Sequence, residues 1–235
     1  MTLDDCAKTI VADRFPSCEL ALLAGSVSRN EQTATSDLDI VVFDQSVHSS
    51  FRESFYEGTW PVELFVHSLT SFQAIFTADQ ENGTPSMPRM VAEGRVLIER
   101  NRPFYQQIKT EAQAILTEGP PLWSTRTQVE KRYFLTDTLE DLRGATLHEE
   151  TWFIVNHLME QLGEFVLRMN QQWMGRSKWL YRSLYAYDSD YAEFFFLSFQ
   201  HFFQTGDAKK VVALVEQALE DTGGPMFAGF SIGKK

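Results

Sequence analysis

The chain has 235 residues, a hydrophobic fraction of 43% and a formal net charge of −11. This ordinary apolar content, with 19 phenylalanines, excludes a disordered protein, and the length has room for two domains with separate cores. The acidic balance argues against a protein that works mainly by binding nucleic acid. Because neither an apolar leader nor a run of eighteen apolar residues occurs, we expect a cytoplasmic protein without a membrane partner.

The first hundred residues mix helical and strand patterns, which predicts a small mixed β-sheet. Apolar residues at helical spacing predict a first helix that ends at Pro16. Strands are predicted at residues 20–24, 38–43, 60–67 and 96–98. Turn-forming residues between positions 78 and 88 predict a mobile loop followed by a short helix.

Beyond residue 100 only helical patterns occur. Apolar residues between Val155 and Met169 recur at a spacing of three and four, as on the buried face of a long helix. The predicted fold class is therefore α+β, with a small mixed-sheet domain in residues 1–100 and an antiparallel helical bundle in residues 101–235. The glycine-rich tail, residues 222–235, is expected to be loosely held.

Two aspartates begin the predicted strand at residues 38–43. Alternation along a strand sends Asp37 and Asp39 to one face and Leu38 to the other. Carboxylates crowded in this way repel each other, and divalent cations relieve the repulsion. The pair therefore indicates a metal site, and the alternative is a strand-end residue beside a turn cap.

A Gly-Ser pair lies ten residues ahead of Asp37 and follows a short apolar strand. Gly25 allows the backbone to approach a ligand closely, and Ser26 is a residue type that caps helices whose free N–H groups bind anions. A simple turn is the alternative for the pair alone. The combination of apolar strand, Gly-Ser and Asp-x-Asp favours a phosphate cradle next to a metal site.

This combination resembles the motif of the polymerase-beta-like nucleotidyltransferases. The resemblance covers residues 22–67, and it is closest to the kanamycin and other aminoglycoside nucleotidyltransferases and to bacterial relatives with a helical C-terminal domain. It implies that Gly25 and Ser26 contact the β- and γ-phosphates of a nucleotide and that Asp37 and Asp39 bind magnesium. It also implies a third carboxylate on a neighbouring strand, a position that Glu63 matches.

Residues around the motif fit the same resemblance. Ser36 precedes the first aspartate, and Arg29 is suited to hold phosphate. Asn30 departs from the pattern, because many relatives have a second glycine after the arginine.

In relatives with a helical C-terminal domain, that domain supplies the acceptor pocket and sometimes a general base. Glu160 and Glu164, one helical turn apart, are the candidates for the base here. The alternative for Glu164 is a solvated i, i+4 pair with Arg168. Lys178 is a candidate triphosphate ligand, with a surface lysine as the alternative.

The resemblance implies transfer of a nucleoside monophosphate, AMP in the first instance, from a nucleoside triphosphate to a hydroxyl of a small molecule such as an antibiotic. Two Mg²⁺ ions and ATP or another nucleoside triphosphate are the expected cofactor and substrate, and a homodimer is compatible with this reading. Transfer of AMP to a protein partner, as in toxin–antitoxin systems, and nucleotide binding without catalysis are the alternatives.

Overall fold

The computed structural model describes residues 2–233, which form two compact units that divide between Gly119 and Pro120. In the first unit the elements are, in chain order, α1 (Leu3–Arg14), β1 (Leu20–Leu23), α2 (Gly25–Ser28), β2 (Leu38–Phe43), β3 (Phe51–Glu57), β4 (Trp60–His67), α3 (Phe72–Asn82), α4 (Ser86–Glu93), β5 (Arg95–Glu99) and α5 (Arg102–Glu118). The second unit contains α6 (Thr125–Gly144), α7 (His148–Met169), α8 (Lys178–Tyr187), α9 (Ser189–Thr205) and α10 (Lys209–Glu220). The predicted α+β class, a small mixed sheet followed by helices, is confirmed.

The five strands form one sheet in the order β3-β4-β2-β1-β5. Strands β2 and β4 are parallel, and the other neighbouring pairs are antiparallel. The edge strand β3 was not predicted from the sequence. Most of its side chains are exposed, so its segment lacks the alternation of apolar and polar residues that marks a half-buried strand.

Both faces of the central strands are covered. On one face, α1 packs against inward-pointing residues of β2 and β4 such as Ile40 and Leu64. On the other face, the ring of Phe43 packs edge-on against Phe72 of α3 and Phe104 of α5. Burial on both sides explains why β1 and β2 are almost continuously apolar.

The prediction of a mobile loop at residues 78–88 is wrong, because most of this segment is helical. Helix α3 continues to Asn82 and ends at Gly83, whose φ of 70° suits the left-handed end of a helix. The Asp79 carboxylate accepts a hydrogen bond of 2.7 Å from the backbone N–H of Met87, near the start of α4. The polar residues of this segment therefore end one helix and begin the next.

The division between the units lies later than the change of sequence pattern near residue 100. The intervening helix, α5, packs against α4. Its first turn carries Phe104, which contacts the aromatic cluster over the sheet. Helix α5 thus belongs to the core of the first unit.

The helices of the second unit enclose their own core. The apolar stripe predicted between Val155 and Met169 supplies Val155, Leu158, Leu162 and Phe165 to that core. Within residues 2–233, no helix combines the length and apolar character needed to cross a membrane.

The C-terminal tail, predicted to be loosely held, contacts α6 at several points in the part that the structure describes, and Lys234 and Lys235 lie outside it. Arg132 donates a hydrogen bond of 2.7 Å to the carbonyl of Thr222. The backbone N–H of Met226 donates to Thr136 Oγ1 at 3.0 Å, and the ring of Phe230 stacks on Tyr133 at 3.8 Å. The tail is therefore packed along α6.

Candidate metal and nucleotide site

Three carboxylates meet at the amino ends of β2 and β4. In the parallel ladder, Asp39 of β2 lies directly opposite Glu63 of β4, and Asp37 immediately precedes β2. Each of the three offers an oxygen atom within 4.8 Å of the others, and all three side chains are partly exposed. This geometry brings together the three carboxylates that were singled out in the sequence.

The alternation of the two strands explains this convergence. Leu38 and Ile40 of β2, and Val62 and Leu64 of β4, point into the core that contains α1. Asp39 lies between Leu38 and Ile40 in the sequence, and its partner Glu63 lies between Val62 and Leu64. Because successive side chains of a strand point to opposite faces, both carboxylates point away from that core. The apolar core therefore fixes the side of the sheet on which the carboxylates lie.

The Gly-Ser turn lies directly against Asp39. The backbone N–H of Ala24 donates a hydrogen bond of 2.8 Å to the carbonyl of Asp39, and Gly25 follows with a φ of 66°. A Cβ atom on Gly25 would lie 1.8 Å from Asp39 Oδ2. Only glycine combines this backbone conformation with so close an approach.

The side chain of Ser26 does not cap a helix, contrary to the prediction. The N-cap position of α2 is Ala24, and Ser26 lies within this short helix. The Ser26 hydroxyl donates instead to Ser36 Oγ at 3.1 Å, and Ser36 Oγ also accepts from the backbone N–H of Thr33 at 2.8 Å. These bonds link the Gly-Ser turn to the residue before Asp37.

Asn30 has a φ of 58°, in the left-handed region. Asparagine tolerates this conformation better than most residues other than glycine. Asn30 therefore adopts this backbone conformation at a lower cost than most other non-glycine residues would.

Two arginines flank the carboxylates. Arg29 follows α2, and its guanidinium contacts the carboxylates of Glu31 at 3.3 Å and Glu93 at 3.2 Å. Arg52 of β3 forms an ion pair with Glu63. Arg29 was singled out in the sequence, whereas Arg52 was missed because its strand was not predicted.

The electrostatics of the site centre on Asp39. Burial, followed by the negative charges of Asp37 and Glu63, raises the pKa of Asp39 to about 7, and the charges of Arg52 and Arg29 act in the opposite direction. Such a group resists ionisation unless positive charge is supplied. Three adjacent carboxylates are also the oxygen ligands that Mg²⁺ prefers, so the donor set fits a hard divalent cation.

Comparison with solved structures finds similarity to a nucleotidyltransferase-like protein from Exiguobacterium sibiricum 255-15. The TM-score is 0.48 at 11% sequence identity, over 94% of this chain and 76% of that chain. No protein-family profile matches the sequence, and no curated protein matches it. The function therefore has to be inferred from the residues of the site.

The remaining candidates belong to the second unit. Glu160 is exposed on α7, and Lys178 is exposed at the first position of α8. Glu164 is half-buried and forms an ion pair of 2.6 Å with Lys131 of α6.

The alternative of a solvated ion pair between Glu164 and Arg168 is wrong. Arg168 is 2% exposed and donates a hydrogen bond of 3.1 Å to the carbonyl of Pro121. Burial lowers the pKa of Arg168, and the charge of Glu164 partly offsets this effect. Arg168 is thus part of the interior of the unit.

Proposed function

We propose that the first unit binds a nucleoside triphosphate together with Mg²⁺, and that the protein transfers the nucleoside monophosphate to a hydroxyl of a small-molecule acceptor. The observation that carries this proposal is the approach of Gly25 to Asp39. This approach brings the backbone of the Gly-Ser turn against one carboxylate of the triad formed by Asp37, Asp39 and Glu63. A ligand that interacts with both must have oxygen-rich anionic groups and an associated cation, and a metal-bound polyphosphate meets this requirement.

Each residue has a proposed role. Asp37, Asp39 and Glu63 would hold the metal, Gly25 and Ser26 would contact the β- and γ-phosphates, and Arg29 would neutralise phosphate charge. Mg²⁺, when bound, supplies charge stabilisation for the attacking and leaving oxygens. The ordered strands hold the carboxylates in place before the substrate arrives, which lowers the cost of organising the reaction.

We assign the choice of acceptor to the second unit. Of the two glutamates considered for proton abstraction, Glu160 is the better candidate because its carboxylate is exposed, whereas Lys131 already engages that of Glu164. Lys178 is exposed at the first position of α8, and its role as a phosphate ligand stays a prediction from the resemblance.

The proposal is tested by substituting Asp39→Asn and Asp37→Asn. Transfer of labelled AMP from ATP, measured with pyrophosphate release against a panel of aminoglycosides and lincosamides, should fall by at least about a thousandfold, the scale of removing a principal electrostatic contribution. Glu53→Gln on β3 is the matched control, because Glu53 pairs with Arg14 and is outside the triad. This control should retain activity.

Stability separates a lost reaction from a lost fold. Burial and two like charges oppose the ionisation of the Asp39 carboxyl, and Asp39→Asn replaces it with a neutral group. Without metal, this variant should therefore unfold at the same temperature as the wild type or at a higher one. Undiminished AMP transfer by both aspartate variants would refute the proposal. Label on a polypeptide instead of a small molecule would reassign the acceptor.

A further inference from the structure

A positive charge already neutralises part of the carboxylate triad. The Arg52 guanidinium is ion-paired with Glu63 Oε2 and lies over the ring of Phe65, 4.9 Å from its centroid. Phe65 is also the residue directly opposite Arg52 in the ladder between β3 and β4. Edge strand β3 thus presents a cation to one of the three carboxylates.

The position of Arg52 allows it to leave. Its side chain is 58% exposed, whereas that of Glu63 is 22% exposed. Ion pairs with an exposed partner are weak and exchange readily with solvent or other charges. Glu63 therefore stays in the site when Arg52 turns away.

Arg52 and a divalent cation bound to the triad would both neutralise the negative charge of Glu63. Arg52 is ion-paired with Glu63, and Glu63, Asp37 and Asp39 each offer an oxygen atom within 4.8 Å of the others. A second cation next to the guanidinium is repelled by it, and binding to Glu63 through both of its oxygens requires the ion pair to break. Release of Arg52 has a cost unless the guanidinium gains another anionic partner, and phosphate oxygens are well suited to that purpose.

We propose that Arg52 is the counter-cation of the triad when Mg²⁺ is absent, and that its transfer from Glu63 to a phosphate couples the binding of Mg²⁺ to the binding of nucleoside triphosphate. This inference rests on the proposed function. Mg²⁺ alone then binds weakly, because it must displace Arg52 without compensation. The nucleotide strengthens Mg²⁺ binding, and Mg²⁺ strengthens nucleotide binding by the same factor.

The test is calorimetric titration of the full-length protein with Mg²⁺, with and without α,β-methylene-ATP, which cannot transfer its nucleoside monophosphate. Arg52→Gln should bind Mg²⁺ alone roughly tenfold more tightly than the wild type, the scale expected for one unit charge a few ångströms away. The factor by which the nucleotide analogue enhances Mg²⁺ affinity should shrink. Arg52→Lys retains the charge and should remain close to the wild type.

The chain offers a matched control on the same strand. Arg14 forms an ion pair of 2.6 Å with Glu53 of β3 and lies over the ring of Phe55 at 4.6 Å, but Glu53 is not a member of the triad. Arg14→Gln removes the same kinds of contact and should leave Mg²⁺ affinity unchanged. Circular dichroism and the unfolding temperature verify that each variant is folded.

The outcomes separate this inference from the function on which it rests. If Asp39→Asn abolishes Mg²⁺-nucleotide binding but Arg52→Gln leaves Mg²⁺ affinity and coupling unchanged or weakens them, the role of Arg52 is refuted and the proposed function stands. If the wild type binds no Mg²⁺ with or without nucleotide, both fail.

Discussion

Gly25 meets two requirements of the site at once. Its positive φ lets the chain turn directly after β1, and its missing side chain leaves room for the Asp39 carboxylate. These requirements have different physical origins, because the first concerns the backbone of residue 25 and the second concerns a neighbouring strand. They can therefore be separated by experiment.

Gly25→Ala should destabilise the protein and, under the proposed function, disrupt Mg²⁺ binding. An L-residue at this φ costs about 1 kcal/mol, and forcing a methyl group against Asp39 adds roughly 1–3 kcal/mol. We expect a lower free energy of unfolding in urea and loss of Mg²⁺ binding by calorimetry. The added strain arises because Asp39 must move away from the turn.

Gly58 provides the control for the backbone contribution. It has a φ of 60°, and a Cβ atom there would meet nothing within 4 Å. Gly58→Ala should cost only the conformational penalty and leave Mg²⁺ affinity intact. Equal behaviour of the two variants would show that contact with Asp39 has no role in the choice of glycine.

Single residues also mark where sequence patterns lose their predictive power. Alternation along β4 sends Glu63 and His67 to the same face of the sheet, but it does not distinguish their surroundings. His67 is 2% exposed, and its burial lowers the pKa of the imidazole to about 4. The burial of His67 comes from tertiary packing, which includes the nearby ring of Phe43. The sequence pattern of a single strand does not encode such packing.

At the scale of elements, side-chain hydrogen bonds decide whether a polar segment is ordered. Residues 78–88 and the described part of the tail both have turn-forming compositions, yet each is fixed by contacts with a helix. In the tail, the backbone N–H of Met226 donates to Thr136 Oγ1 of α6, and the Thr136 hydroxyl itself donates to the carbonyl of Arg132 at 2.8 Å. Composition predicts flexibility only where such partners are absent.

Thr136→Val should loosen the tail while leaving α6 formed. Loss of the acceptor for the Met226 N–H should cost about 1 kcal/mol in the free energy of unfolding. Hydrogen exchange of the backbone at residues 225–231 should accelerate. Both effects follow from removing one hydroxyl.

Thr138→Val is the matched substitution on the same helix. Its hydroxyl likewise donates to the carbonyl four residues earlier, that of Phe134 at 2.9 Å, but Thr138 is only partly buried, and no described residue of the tail bonds to it. Tail exchange should be unchanged in this variant. If Thr136→Val also left exchange unchanged, the bond to Met226 would not be what orders the tail.

At the scale of the whole molecule, each unit is organised around its own core. The first unit is completed by α5, whose Phe104, Ile108 and Ala112 are buried. The sequence predicted the fold class because strand and helix patterns separate clearly along the chain. It did not predict the boundary, because a helix that completes a sheet domain has the same periodicity as one in a bundle.

A fragment of residues 1–119 should therefore unfold cooperatively, whereas a fragment of residues 1–100 should be less stable by roughly 3–5 kcal/mol or remain unfolded. The difference corresponds to removing a large aromatic side chain from a core together with the helix that carries it. Urea unfolding followed by circular dichroism measures it. Equal stability of the fragments would place α5 outside the first core.

The candidate site was more accessible to sequence reasoning than the fold around it. Asp37 and Asp39 could be found because local alternation fixes which face of a strand a residue occupies, and Glu63 could be found because the resemblance implies a third carboxylate on a neighbouring strand. Arg52 could not, because its segment is exposed and its role depends on pairing with β4. Local patterns thus identify the carboxylates, and the sheet topology supplies their counter-charge.

The contact between Gly25 and Asp39 also constrains how this protein can change over evolutionary time. A side chain at position 25 meets the carboxylate at position 39, so a prior substitution at 39 to a smaller side chain removes that contact, and only the positive φ then favours glycine at position 25. In a lineage that has abandoned the site, position 39 should diverge before position 25. The order of replacement in descendants would then record when the carboxylate at position 39 was lost.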